Sequence, residues 1–147
     1  SMEPAWGTPV GRRGLVVVCD DTESIRRLLR INLELDGFEV IEACDGATVM
    51  DVLGRLRDQR SLPHAVVLDV EMSPQDGWWA LAQIRACPRL ASVPVVMATA
   101  APVCEDRELM HDRGLDACVL KPFDPDQILA LVDGFVREGR AFSPMVR

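Results

Sequence analysis

Leu15-Val16-Val17-Val18-Cys19-Asp20-Asp21-Thr22-Glu23-Ser24 (LVVVCDDTES) sets five apolar residues directly against two adjacent carboxylates. A short run with no polar alternation reads as a strand covered on both faces, which a parallel sheet between helix layers provides. Charges crowded where such a strand ends cost energy unless something neutralises them. The remaining sequence has to supply both the sheet and a counter-charge for Asp20 and Asp21.

The sheet is legible. Ala65–Leu68, Val95–Ala98 and Ala117–Leu120 repeat the unbroken apolar pattern, and Phe38–Ile41, interrupted by Glu39, suits a sheet edge. Between these strands the apolar spacing predicts helices. Ser24–Asp36 carries Ile25, Leu28, Leu29 and Leu33 at core spacing and stops at Gly37. Ala47–Asp58 carries Val49, Val52, Leu53 and Leu56; Trp78–Ala86, Cys104–Arg113 and Asp126–Arg137 complete the set. Neighbouring parallel strands cannot be joined by a tight hairpin, so this alternation requires helical crossovers. The expected class is α/β: a five-stranded parallel sheet with five helices in a three-layer sandwich. Ligands of such sheets bind outside the carboxyl ends of the strands.

Composition narrows the field. A chain of 147 residues, 48% hydrophobic, fits one domain with a full core. Its net charge of -7 and pI near 4.8 argue against direct nucleic-acid binding. No run approaches the roughly 18 apolar residues of a membrane span, and no signal peptide is recognisable. Cys19, Cys44, Cys87, Cys104 and Cys118 form no C-x-x-C pair and mostly lie in apolar company like small buried hydrophobes, which fits a reducing, cytoplasmic setting. Ser1-Met2 looks like a tag remnant, and residues 1–13 read as a disordered lead-in.

The strand ends carry the chemistry. Asp20 and Asp21 follow the first strand, Asp69 ends the third, Thr99 the fourth and Lys121 the fifth. Two unit charges about 4 Å apart repel by roughly 4 kcal/mol at an effective dielectric of 20, so three clustered carboxylates need protons or a cation. Lys121 supplies one positive charge. A hard divalent ion would supply the rest, Mg²⁺ being the best candidate and Mn²⁺ the alternative. Zinc would want His or Cys, and His64 lies at the opposite end of its strand while His111 falls in a later helix. Such a cation, with Lys121 and the Thr99 hydroxyl, makes a pocket for a tetrahedral anion beside Asp69, whose carboxylate can hold a phosphoryl group as an acyl phosphate.

The motifs VVVCDD, VVLDVEM followed by DGW, PVVMATAA and LKPF, with 30 residues from Asp69 to Thr99 and 22 from Thr99 to Lys121, resemble the receiver domain of two-component response regulators over Gly14–Glu138. The resemblance, rather than any periodicity, implies the strand order 2-1-3-4-5. It implies a receiver domain over 14–138, with 139–147 as a C-terminal tail. Asp69 would accept a phosphoryl group from a phosphohistidine on a sensor histidine kinase or histidine phosphotransfer protein. Asp21, Asp69 and the backbone carbonyl of Glu71 would hold Mg²⁺, with Asp20 acting through a water. Lys121 would contact phosphoryl and carboxylate oxygens, and its bond to Pro122 would be cis. Thr99 would move on phosphorylation. A homodimer is left open, catalysis would extend at most to the domain's own phosphorylation and dephosphorylation, and no output enzyme domain is recognisable.

Four positions depart from the family pattern. Pro74 sits one place later than usual, Glu71 adds a carboxylate near the pocket mouth, and Ala101 offers no polar group to orient water. Cys118 replaces the usual aromatic of the switch, and as an isolated residue reads as filler rather than a redox sensor. The intact pocket favours the phosphorylation switch, while Cys118, Pro74 and Glu71 lend some weight to an alternative, an atypical receiver acting as a phosphorylation-independent adaptor or dimerisation module; an aspartyl phosphatase is disfavoured because Glu71 stands where a second Asp would be needed. Plainer roles also exist: Asp21 or Thr22 as a helix cap, Asp76 as the cap of the third helix, and Phe123 as core packing. Adjacent Trp78 and Trp79 cannot both face inward, and Trp78 is expected to be the buried one.

Overall fold

The computed structural model describes residues 11–100 and 102–144. Its strands are β1 (Gly14–Cys19), β2 (Phe38–Ala43), β3 (Ala65–Leu68), β4 (Val95–Thr99) and β5 (Ala117–Leu120). The helices between and after them are α1 (Glu23–Leu35), α2 (Gly46–Asp58), α3 (Gly77–Ala86), α4 (Arg107–Arg113) and α5 (Pro125–Glu138). All strand pairs are parallel, in the order β2-β1-β3-β4-β5. The α/β sandwich and strand order expected from the sequence are both present. The lead-in at 1–10, Ala101 and the last three residues of the tail lie outside the described residues.

The unbroken apolar strands explain the two cores. Val16, Val18, Val67, Val96 and Ala98 face Leu29 and Leu33 of α1 and Ile128, Val132 and Phe135 of α5. Val17, Val66, Leu68, Val95 and Met97 face Val49 and Leu53 of α2, Leu81 and Ile84 of α3, and Met110 of α4. Successive side chains of a strand point to opposite faces, so each strand feeds both layers.

Four of the five α-helix starts are capped by aspartates. Asp45 and Thr48 form a reciprocal capping box on α2, and Asp124 and Gln127 do the same on α5, with Pro125 in its first turn. Asp76 accepts from Trp79 N–H at 2.8 Å and so caps α3, as the sequence suggested. On α1 the N-cap is Thr22, but its side chain makes no cap bond. That helix ends where Gly37 takes a φ of 98°. Leu28, placed at core spacing, is exposed instead, with Ile31 and Leu35 beside it.

The sequence placed one helix over Cys104–Arg113, and the structure breaks it. A 3-10 turn occupies Pro102–Glu105, and the Asp106 carboxylate starts α4 afresh by accepting from Leu109 N–H at 2.9 Å. Part of the expected tail is docked. Phe142 is buried edge-on against Phe135, 5.1 Å between ring centres, over Gly134.

Candidate functional site

β1, β3, β4 and β5 end side by side, which brings Asp20, Asp69, Thr99 and Lys121 to one edge. Backbone bonds hold this alignment: Asp69 N–H donates to Cys19 O at 2.9 Å, and Lys121 N–H to Thr99 O at 2.8 Å. Asp20, Asp69 and Thr99 are buried, whereas Asp21 is open to solvent. One carboxylate oxygen from each of Asp20, Asp21 and Asp69 lies within 4.8 Å of the others.

Lys121 is the cation that Asp20 and Asp69 share. Its Nζ donates to Asp20 Oδ2 at 2.8 Å and stands 3.4 Å from Asp69 Oδ2. Asp20 is anchored further, since its Oδ1 accepts from Thr22 N–H at 2.9 Å and its backbone carbonyl from Arg26 Nη1 at 2.8 Å. Asp69 has less. Burial, then the neighbouring Asp20 charge, pushes its pKa above the usual carboxylate value, against the opposing pull of Lys121. Burial works to lower the Lys121 pKa, but the hydrogen bond and charge of Asp20, then Asp69, hold it above the ordinary lysine value.

The donor set suits a hard cation: three carboxylates meet, and one of them faces water. The nearby sulfur is unsuited to binding a metal, because burial and then the negative charges around it raise the Cys19 thiol pKa far above its ordinary value. That thiol donates instead to Asp45 O at 3.3 Å. Glu71 is exposed and falls outside the converging set among the described residues. Lys121–Pro122 is cis, as the resemblance implied, and so is Ser73–Pro74, which the sequence did not suggest.

The loop after Asp69 is folded tightly. Gly77 N–H donates to Val70 O at 2.8 Å, and a Cβ on Gly77 would lie only 2.1 Å from the Asp69 carbonyl oxygen. Glycine is required there by that close approach, since real Cβ atoms essentially never come within 3.0 Å of a neighbour. Trp78 and Trp79 are both half-buried, so the expected split between them is not found. The Arg113 guanidinium lies 5.2 Å from the Trp78 ring centre, which keeps that ring at the surface between α3 and α4.

Cys118 is not filler. It forms a disulfide with Cys104 of the 3-10 turn, with 5.2 Å between their Cα atoms. The reading of the cysteines as mostly buried hydrophobes holds for Cys19; Cys44 is exposed and Cys87 half-buried. Sequence reasoning also missed a second polar centre at the opposite end of the sheet. The Asp116 carboxylate, 7% exposed, accepts from Arg85 Nη2, Arg140 Nε and Val95 N–H, each at 2.8 Å. An Asp immediately before a strand, with an Arg at the end of a preceding helix, was the available signal.

Residues 16–133 match the family described as response regulator receiver domain. The chain is 33% identical over 122 residues to a probable transcriptional regulator, ycf27, of Porphyridium aerugineum, covering 83% of this chain and 48% of that protein. It is 32% identical, over 83% of this chain and 48% of the relative, to the DNA-binding dual master transcriptional regulator RpaA of Synechocystis. The chain thus spans about half the length of these curated relatives. Among solved structures, the receiver domain of Francisella response regulator 1452 superposes with a TM-score of 0.73 at 22% identity, over 84% of this chain and 97% of that one. The chemotaxis response regulator CheY4 of Vibrio cholerae gives 0.71 at 24%, over 83% and 98%. No described helix is long and apolar enough to cross a membrane.

Proposed function

That the chain belongs to the response regulator receiver domain family of two-component signalling is the premise from which we propose its chemistry: Asp69 is the phosphoacceptor. The donor is a phosphohistidine on a sensor histidine kinase or a histidine phosphotransfer protein. An Asp69 oxygen attacks phosphorus, the P–N bond breaks, and the imidazole leaves with a proton. The observation that supports this most is the meeting of three carboxylates with one shared lysine.

Within this reading Asp21, Asp69 and the Glu71 backbone carbonyl would hold Mg²⁺, with Asp20 acting through a water, and the bound ion would supply positive charge to phosphoryl oxygens. Lys121 stays protonated, supported by its two carboxylates, and neutralises a phosphoryl oxygen. Thr99 donates its hydroxyl to the group once it is in place. Catalysis ends with the domain's own phosphorylation and dephosphorylation.

We take the functional module as residues 14–138, working in the cytoplasm through protein partners. The relatives' names as transcriptional regulators support an input module whose state is passed on. Incubation with Mg²⁺ and acetyl phosphate or phosphoramidate, followed by intact-mass measurement, tests the core claim. Wild type should gain one phosphoryl group and Asp69→Ala none; an unchanged wild-type mass under either donor would count against an Asp69 acceptor.

A further inference from the structure

We propose that Cys104 and Cys118 form a reversible thiol/disulfide modification site, which clamps the turn after Thr99 onto β5 and weakens the Asp69 pocket's hold on a phosphoryl group. The second half of this inference rests on the phosphoacceptor reading of Asp69.

Placement carries the argument. Cys104 follows Thr99 by five residues and lies in the Pro102–Glu105 turn; Cys118 precedes Lys121 by three and lies in β5. The bond therefore joins the segment leaving one pocket group to the strand that carries another. In the ladder Cys118 pairs with Met97 and Leu120 with Thr99, so the cross-link sits two residues from the pocket edge. Both cysteines are partly exposed. A small thiol or disulfide can reach such a pair. Cys19, by contrast, is buried, and its raised pKa leaves it inert.

The oxidant is a low-molecular-weight disulfide. One cysteine thiolate attacks a sulfur of the reagent, releasing a thiol and leaving a mixed disulfide; the second thiolate then displaces the other thiol. Two protein thiols lose two protons and two electrons, and one reagent disulfide becomes two thiols. In a reducing compartment the pair rests as the dithiol, and oxidising conditions close it.

Coupling to the pocket follows from restraint. A cross-link favours the unliganded arrangement of the Pro102–Glu105 turn, so any shift of Thr99 toward a phosphoryl group costs more when the bond is closed. By reciprocity, an occupied pocket favours the dithiol.

The test uses the reduced full chain, glutathione disulfide, and alkylation with N-ethylmaleimide in denaturant. The dithiol form takes up a label at each of the five cysteines; closure should protect two of them, and peptide mapping should assign these to Cys104 and Cys118. Titration with beryllofluoride and Mg²⁺ should then show the dithiol form binding at least threefold tighter, with Cys104→Ser matching it in the presence of oxidant. Failure to close, lasting glutathione adducts without closure, or binding by the oxidised form that is equal or tighter each overturns the proposal. Absence of beryllofluoride binding in both forms would refute the phosphoacceptor reading instead. Amide exchange at Val103–Asp106 then decides: faster exchange in the dithiol supports the clamp, and equal exchange overturns it.

Discussion

The two ends of this sheet both bury carboxylates and treat them differently. At the amino end of β5, Asp116 receives two guanidinium groups and a backbone N–H, all at 2.8 Å. At the carboxyl end, the buried Asp20 and Asp69 share one ammonium, and Asp21 adds a third negative charge. Removing a charge from water is costly, and only complete pairing with good geometry offsets it. The first centre is complete and ties α3, β4, β5 and the C-terminal turn together. The second is left short of positive charge, so it gains from any cation that completes it. A finished charge cluster indicates architecture; an unfinished one indicates a site.

Four measurements test that contrast. Arg85→Ala should have the largest effect, because it withdraws half the cationic support from a buried carboxylate. A loss of about 3 kcal/mol, at the lower end for a broken buried pair since Arg140 remains, should appear as a reduced urea midpoint. Reduction of Cys104–Cys118 comes next. Opening a cross-link of sequence separation 14 should cost up to about 3 kcal/mol by the loop-entropy argument, again read by urea unfolding. Saturating Mg²⁺, at about 100 times its dissociation constant, should stabilise the wild type by about 2.7 kcal/mol and leave Asp21→Asn nearly unmoved. An equal gain in that variant would place the ion elsewhere.

The smallest effect has the opposite sign. Asp69 has a native pKa above its unfolded value, through burial and then the Asp20 charge. The native state therefore binds the extra proton between the two pKa values, and this stabilisation is present at low pH and lost as pH rises through the raised native value. At neutral pH the ionised side chain is a burden on the metal-free protein. Asp69→Asn should raise metal-free stability by roughly 1 kcal/mol at pH 7, a gain that closes as pH falls toward about 4. Destabilisation by that substitution would show the second cluster to be as complete as the first.

How much of this was visible in the sequence depended on the range of the interaction. The strands were legible because burial on both faces leaves an uninterrupted apolar run, as in Val16 to Cys19. Asp20, Asp21, Asp69, Thr99 and Lys121 were legible together because each lies where such a run stops, and their spacing matched a family. Asp76 as a cap was legible because capping is local. The disulfide was not, since Cys104 and Cys118 meet only after α4 returns the chain to β5. The Asp116 cluster was hidden likewise, because Arg85 and Arg140 approach it from opposite directions along the chain. The break before α4 had a local signal, Asp106, that apolar spacing alone passed over.

Gly77 shows how narrowly this arrangement can be inherited. With the Asp69 carbonyl oxygen 2.1 Å from where a Cβ would sit, even alanine must displace the backbone that presents the carboxylate. A position with no chemistry of its own is thereby as closed to drift as the residue it shelters. A lineage could exchange many of the side chains around Asp69 through intermediate sequences, but each of them would have to carry the same missing methyl group at residue 77.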